Sequence, residues 1–275
     1  MIPERIFNRL WTSYTAQNPQ ARQIYDLFIS QGEKIVNDHI ALRTFNDVRT
    51  GIDVLAKPFI HEGYVQKGEY TFPDKHLTAR HYEHPDIKDL PRVFISQLET
   101  ESFSPFLRST INSIIDQVPG SLLLSEELMF SGLQWGPVSF KTYDNLLKES
   151  EYAAWMYIHG FRANHFTVSI NHLQNYNTIE KVNQFLKENN FKLNDAGGEI
   201  KGTPLELLEQ SSTISGLIKM QFIEGIFEVP ACYYEFARRY PDQDGELFSG
   251  FIAKSADKIF ESTNYYSGIS LNGGS

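Results

Sequence analysis

Two stretches of this chain share one layout, and that layout limits the possible folds more than any other feature. Asn37-Asp38-His39 opens a run to Phe45 in which Ile40 and Leu42 alternate with His39, Ala41 and Arg43. Ala163-Asn164-His165 sits at the head of a second run, to Ile170, in which Phe166, Val168 and Ile170 alternate with His165, Thr167 and Ser169. A period of two marks a half-buried strand. Each run leads into a helical pattern, at 48–61 in the first half and 179–189 in the second. Strand-like stretches follow at 64–72, 77–82 and 92–98 in the first half. In the second, residue 191 onward supplies further strands, among them Leu217–Phe222 and 232–237. The order βαβββ therefore occurs twice.

The expected fold is α+β, with the two βαβββ modules forming an open mixed-sheet barrel or cup flanked by helices. We read residues 1–275 as a single catalytic domain: module one at about 34–100, a helical connector at about 101–160, module two at about 161–240 and a C-terminal segment at 241–275. Ahead of module one, Ile6, Leu10, Ile24, Leu27, Phe28 and Ile29 fall at helical spacing and predict two helices parted near Asn18-Pro19, as an opening cap. The connector carries Leu146, Leu147, Tyr152, Ala153 and Met156 in helical pattern and contains no long Gly, Ser or Pro linker. The terminal Asn272-Gly273-Gly274-Ser275 is flexible in composition and carries no fold signal.

Period-two geometry places His39, Ala41 and Arg43 on one strand face, and His165, Thr167 and Ser169 on another. In 232–238, Tyr233, Glu235 and Ala237 oppose Tyr234 and Phe236. Three strands thus offer His, His and Glu from their polar faces. With the apolar faces packed on helices, these groups must line a cavity, where leaving them unpaired costs several kcal/mol. A metal ion held by His39, His165 and Glu235 satisfies all three. This donor set suits iron(II) with positions left open for substrate and oxygen, and it also suits zinc. Taken singly, each histidine is more often a hydrogen-bonded core residue, and Glu235 alone is more often an ion-pair partner of Arg238 or Arg239.

Arg43 lies two residue pairs beyond His39, roughly 13 Å along the strand, and its long side chain can lean back. It can grip a substrate carboxylate in bidentate fashion or serve in a structural salt bridge. Lys201, Gln210, Ser211 and Ser212 form a second polar cluster, read either as substrate-binding or as a solvated loop and helix cap.

Composition closes off other classes. The 34 acidic residues against 25 basic ones give a formal charge of -9, which repels phosphate backbones and anionic membranes. Nucleic acid is not an expected partner, whereas a small anion remains open because local charge outweighs the global field at short range. Cys232 is the only cysteine, so thiolate clusters are excluded and any metal must use His, Asp or Glu. No apolar run approaches the ~18 residues of a membrane span. The first residues lack a signal-peptide pattern, which makes the cytoplasm the expected location. His81 and His84, three apart on a strand, point to opposite faces. Gly197 and Gly202 have the outer spacing of a phosphate loop, but Thr203 stands where its lysine belongs. Neither a G-x-S-x-G elbow nor a G-x-G-x-x-G loop occurs.

Four separated motifs resemble the 2-oxoadipate dioxygenase/decarboxylase family: Asp38-His39-Ile40-Ala41-Leu42-Arg43-Thr44, the stretch from Arg162 through His165 to Thr167, Lys201-Gly202-Thr203-Pro204 with 208–213, and Tyr234-Glu235-Phe236-Ala237-Arg238. The similarity extends from about residue 30 to residue 260. The family looks like a divergent branch of the vicinal oxygen chelate superfamily, whose paired βαβββ modules form a metal-holding cup. The resemblance implies that His39, His165 and Glu235 are iron ligands and that Arg43 meets a substrate carboxylate. It also implies conversion of 2-oxoadipate and oxygen into 2-hydroxyglutarate and carbon dioxide, in lysine breakdown. Zinc, manganese or nickel in place of iron remains open. So do a metal-dependent lyase, isomerase or hydrolase on the same cup, and a non-catalytic binder of small carboxylates or metal.

Overall fold

The structure, a computed structural model, describes residues 3–261. Helices α1 (Pro3–Gln17) and α2 (Pro19–Ser30) part at Asn18, where Pro19 occupies the first turn of the second helix, the place in which a missing N–H costs nothing. Module one runs β1 (Asn37–Phe45), α3 (Ile52–His61), β2 (Val65–Phe72), β3 (Leu77–Glu83) and β4 (Arg92–Leu98). The connector holds α4 (Pro105–Asp116), α5 (Gly120–Leu123), α6 (Phe140–Glu149) and α7 (Glu151–His159). Module two comprises β5 (Ala163–Ser169), α8 (Ile179–Glu188), β6 (Lys201–Thr203), β7 (Leu208–Ser212), a hairpin of β8 (Leu217–Phe222) and β9 (Gly225–Pro230), and β10 (Tyr233–Arg239). Helix α9 (Ala253–Phe260) follows. Of the expected C-terminal segment 241–275, residues 262–275 lie outside the described residues.

Eight strands form one sheet in the order β2-β3-β4-β1-β5-β10-β7-β6. In each half the outer strands are antiparallel while the first strand pairs in parallel with the last: β1 with β4 and β5 with β10. The halves meet in an antiparallel seam, β1 against β5. Two βαβββ modules thus make one curled mixed sheet, as the repeated pattern predicts. The sheet's apolar face packs on helices: Trp11 and Tyr14 of α1 meet Phe166 at ring distances of 5.1 and 5.0 Å, and Phe28 of α2 meets Phe236 at 6.1 Å. The first two helices are therefore a layer behind the sheet.

One expected strand is displaced. Leu217–Phe222 does not join the cup; it pairs only with β9 in a separate two-stranded sheet. Its apolar side finds the connector instead, where Phe140 stacks on Phe227 at 3.8 Å and meets Phe222 at 5.3 Å. The missing module-two strand is the short β6, whose residue Gly202 has φ +79° and lies where an added Cβ would stand 2.1 Å from the Leu208 carbonyl oxygen. Only glycine fits that turn of the backbone. This accounts for the glycine of the Lys201-Gly202-Thr203-Pro204 motif on structural grounds.

Candidate metal and substrate site

Register lines up the polar face into rows. One row reads Arg92, His39, Thr167, Glu235 and Ser212 across five strands. The next reads Phe94, Ala41, His165 and Tyr233. In the third, Arg43 stands beside Ser96. Register shifts in the seam flank this region, between Asn37 and His39 and between Ala41 and Leu42. Such bulges re-aim side chains. Here they accompany a diagonal offset that sets the two imidazoles edge to face, 5.5 Å apart.

His39, His165 and Glu235 each offer a ligand atom, all within 4.8 Å of one another. The His165 Nε2 lies 3.2 Å from Glu235 Oε2, and the His39 Nε2 lies 3.6 Å from Oε1. All three side chains are buried. The residue preceding each histidine fixes its tautomer: His39 Nδ1 donates to Asp38 Oδ1 at 2.8 Å, and His165 Nδ1 donates to Asn164 Oδ1 at 3.0 Å. Both Nε2 atoms thereby face the cup as acceptors, the arrangement that metal-binding imidazoles adopt, although that of His39 is engaged by a hydroxyl here. Asp38 is gripped in turn by Arg239, at 2.7 and 2.9 Å. Thr167 Oγ1 donates to His39 Nε2 at 3.0 Å.

Burial lowers the pKa values of both imidazoles, that of His165 well below the usual range, with the neighbouring cations adding to the effect. Burial raises Glu235 to about 8, against the pull of a hydrogen bond from Gln210. Asp38 is the exception: burial opposes its ionisation, yet Arg239 and His39 outweigh burial and hold it well below the usual carboxylate range. Two neutral imidazoles and a buried carboxyl therefore converge with their donor atoms turned to one point. That set fits a divalent cation, which would take the place of a Glu235 proton. At pH 7, below the Glu235 value of about 8, metal binding is expected to release close to one proton from this group and none from the imidazoles. Calorimetric titration in buffers of different ionisation enthalpy measures this number, and a value near zero would contradict it.

Arg43 is almost fully buried among the rings of Tyr152, Trp155 and Phe260, at 4.8, 5.1 and 5.7 Å. Its Nη1 reaches Glu151 Oε1 only at 3.4 Å, while Nε and Nη2 are buried without a hydrogen-bond partner among the described residues. Of the second polar cluster, Lys201 and Gln210 pair across β6 and β7, and Ser212 pairs with Glu235, all on the cup face. Gln210 Nε2 donates to Glu235 Oε1 at 2.5 Å. Lys201 donates to the Asn194 carbonyl, and burial lowers its pKa to about 8. Ser211 is not brought to this site: it pairs with Phe236, on the face turned to the helices. His81, set aside as a ligand, bonds Tyr70 and Glu83 at 2.9 Å each.

Tyr233, which periodicity placed on the face of Glu235, lines the cavity at the triad, and residues that periodicity did not single out complete it: Phe94, Phe251, Ala256, Ile259 and Phe260. Four of them come from the C-terminal segment, which wraps back so that Phe251 sits 4.8 Å from the His39 ring. The helical spacing of Ala256, Ile259 and Phe260 was the available signal. Asp38 and Asn164 were legible too, as the same hydrogen-bonding position ahead of both histidines.

A family model described as 2-oxoadipate dioxygenase/decarboxylase matches residues 6–129 and 126–244. The chain belongs to this family. A family relative from Arabidopsis thaliana, named 2-oxoadipate dioxygenase/decarboxylase, chloroplastic, is 34% identical over 94% of this chain and 76% of its own. The crystal structure of a hydroxyglutarate synthase from Oryza sativa in complex with 2-oxoadipate is 34% identical, covers 95% of this chain and 91% of its own, and superposes with a TM-score of 0.89. A crystal structure from Shewanella frigidimarina, provisionally described as a hydrolase, is 49% identical, covers 91% and 98%, and has a TM-score of 0.86. The family is one of enzymes, and the curled sheet described above is its fold. Among the described residues no helix is long and apolar enough to cross a membrane.

Proposed function

We propose that this protein binds iron(II) through His39, His165 and Glu235 and catalyses the oxidative decarboxylation of 2-oxoadipate, or a close 2-oxo acid, by dioxygen. The products are 2-hydroxyglutarate and carbon dioxide, and both oxygen atoms of O2 enter them. The observation that carries this reading is Arg43, a buried guanidinium with two unpartnered donors on the same sheet face as the triad. Such donors are costly to leave unmade, and a carboxylate answers them in bidentate geometry. The rice relative's complex with 2-oxoadipate supports the same substrate class.

Iron(II), when bound, would supply open positions for a 2-oxo acid and a redox-active centre for dioxygen, while the 2-oxo acid itself would be the net source of electrons. The chain's own groups do the rest. Asp38 and Asn164 hold the imidazoles with Nε2 inward. Arg43 holds a carboxylate and fixes the orientation of the chain behind it. Lys201, Gln210 and Ser212 provide a polar edge on the side of Glu235, with Gln210 steadying that carboxylate. Phe94, Phe251, Ile259 and Phe260 keep water from the reacting end. The reaction belongs with lysine breakdown, and the cytoplasm is the proposed compartment.

Anaerobic loading with iron(II), followed by a panel of 2-oxo acids, tests the reading. Oxygen uptake and carbon dioxide release should rise together with 2-oxoadipate. No coupled release across the panel would sink it, and turnover without oxygen uptake would assign the cup to a hydrolase, lyase or isomerase.

A further inference from the structure

We infer that the Tyr233 phenol is a substrate-binding group that donates a hydrogen bond to the oxo-acid end of the bound 2-oxo acid. This rests on the proposed substrate class. Tyr233 is fully buried, and its hydroxyl has no hydrogen-bond partner among the described residues. A hydroxyl withdrawn from water without a partner is costly, so its retention points to a partner that arrives from outside.

Register supplies the position. Tyr233 pairs with His165 in the middle row, between the row that holds His39 and Glu235 and the row that holds Arg43. A molecule spanning from the triad to Arg43 crosses that row. Tyr233 lines the triad cavity together with Phe260, and the Phe260 ring also borders the Arg43 guanidinium at 5.7 Å. The Tyr233 ring is also held in place. It stacks on the His165 imidazole at 4.7 Å and 28°, and its backbone carbonyl accepts a hydrogen bond from the Tyr14 hydroxyl. Stacking on His165 sets the ring beside the ligand imidazole, and the phenol also feels the charges of Arg43 and Glu235, so it lies between the triad and the guanidinium, where the oxo-acid end of a molecule spanning the two would pass.

The next residue provides an internal control. Tyr234 is equally buried, and its hydroxyl is likewise unpartnered. It faces the helices, however, among Trp11, Tyr14 and Phe236 at 5.9, 6.4 and 5.4 Å, and does not line the cavity at the triad. Burial of a lone hydroxyl is therefore common to both residues, and only Tyr233 combines it with the cup.

The test compares Tyr233→Phe with Tyr234→Phe. Both variants should keep their melting temperature or gain slightly, because each loses an unpaired buried hydroxyl. Both should bind one iron(II) per chain. Anaerobic titration of the iron-loaded proteins with 2-oxoadipate should show roughly 10- to 100-fold weaker binding for Tyr233→Phe, as expected for a lost hydrogen bond to a charged acceptor, and no change for Tyr234→Phe. Binding by Tyr233→Phe within about twofold of the unaltered protein would overturn the inference, given that scale. Equal losses in the two variants, or loss of iron from Tyr233→Phe, would also overturn it by making the role structural. If the unaltered protein binds no 2-oxo acid, the proposed function falls together with the inference.

Discussion

Replacing Glu235 with alanine is expected to cost the protein its tight metal binding and, with it, its oxygen uptake. Glu235 supplies the only carboxylate of the triad, with its two oxygens 3.6 and 3.2 Å from the two imidazoles. Without it, two neutral nitrogens remain, and neither balances the charge of a divalent ion taken from water. Disturbing a mere outer partner of a metal ligand already costs about 10- to 100-fold in affinity, so removing the ligand should cost more than about 100-fold. His39→Ala and His165→Ala should act in the same direction. Iron per chain after desalting under nitrogen, together with oxygen consumption, provides the measurement. Stoichiometric metal retained by all three variants would refute the site.

The second large effect concerns Arg43. Arg43→Met keeps an unbranched side chain between Tyr152, Trp155 and Phe260 while removing every donor. Truncating one side of a buried charged pair costs about 2–5 kcal/mol, or roughly 30- to 5,000-fold in kcat/KM for 2-oxoadipate. Iron content should not change, since Arg43 contacts none of the triad's donor atoms. Folding stability should hold or improve, because two unsatisfied donors leave the interior with the guanidinium. Arg43→Lys should recover only part of the loss, because an ammonium cannot reproduce the planar fork. Unchanged kinetics for Arg43→Met would place the carboxylate grip elsewhere.

Much of the cup was legible because it depends on alternation. His39 to Arg43, His165 to Ser169 and Tyr233 to Ala237 each divide into an apolar side and a polar side, and the polar sides meet once the strands pair. What alternation does not carry is partner choice. Leu217–Phe222 alternates as well as any strand of the cup, yet it follows its apolar residues to Phe140 and leaves the eight-stranded sheet. The strand that takes its place, Lys201–Thr203, is too short for periodicity to register. Ser211 could not be separated from Ser212 without the register that opposes it to Phe236. The C-terminal lining was missed for a related reason: Phe251 and Phe260 reach the site through a long return of the chain, and nothing local in their surroundings specifies that path.

The parallel pairings also set up a correspondence between the halves. His39 stands beside Arg92 and His165 beside Tyr233, so two residues further along Phe94 is the counterpart of Glu235. Had the two halves remained alike, a second carboxylate would occupy the Phe94 position and four side chains would surround one ion. Instead, a benzyl ring stands there, bordering the same cavity and packed against Phe251 at 5.0 Å. One half supplies ligation where the other supplies an apolar wall. In the proposed metal site this architecture would trade grip on the ion for reactivity, since a coordination sphere left incomplete by the protein would have to be finished by the molecules that react.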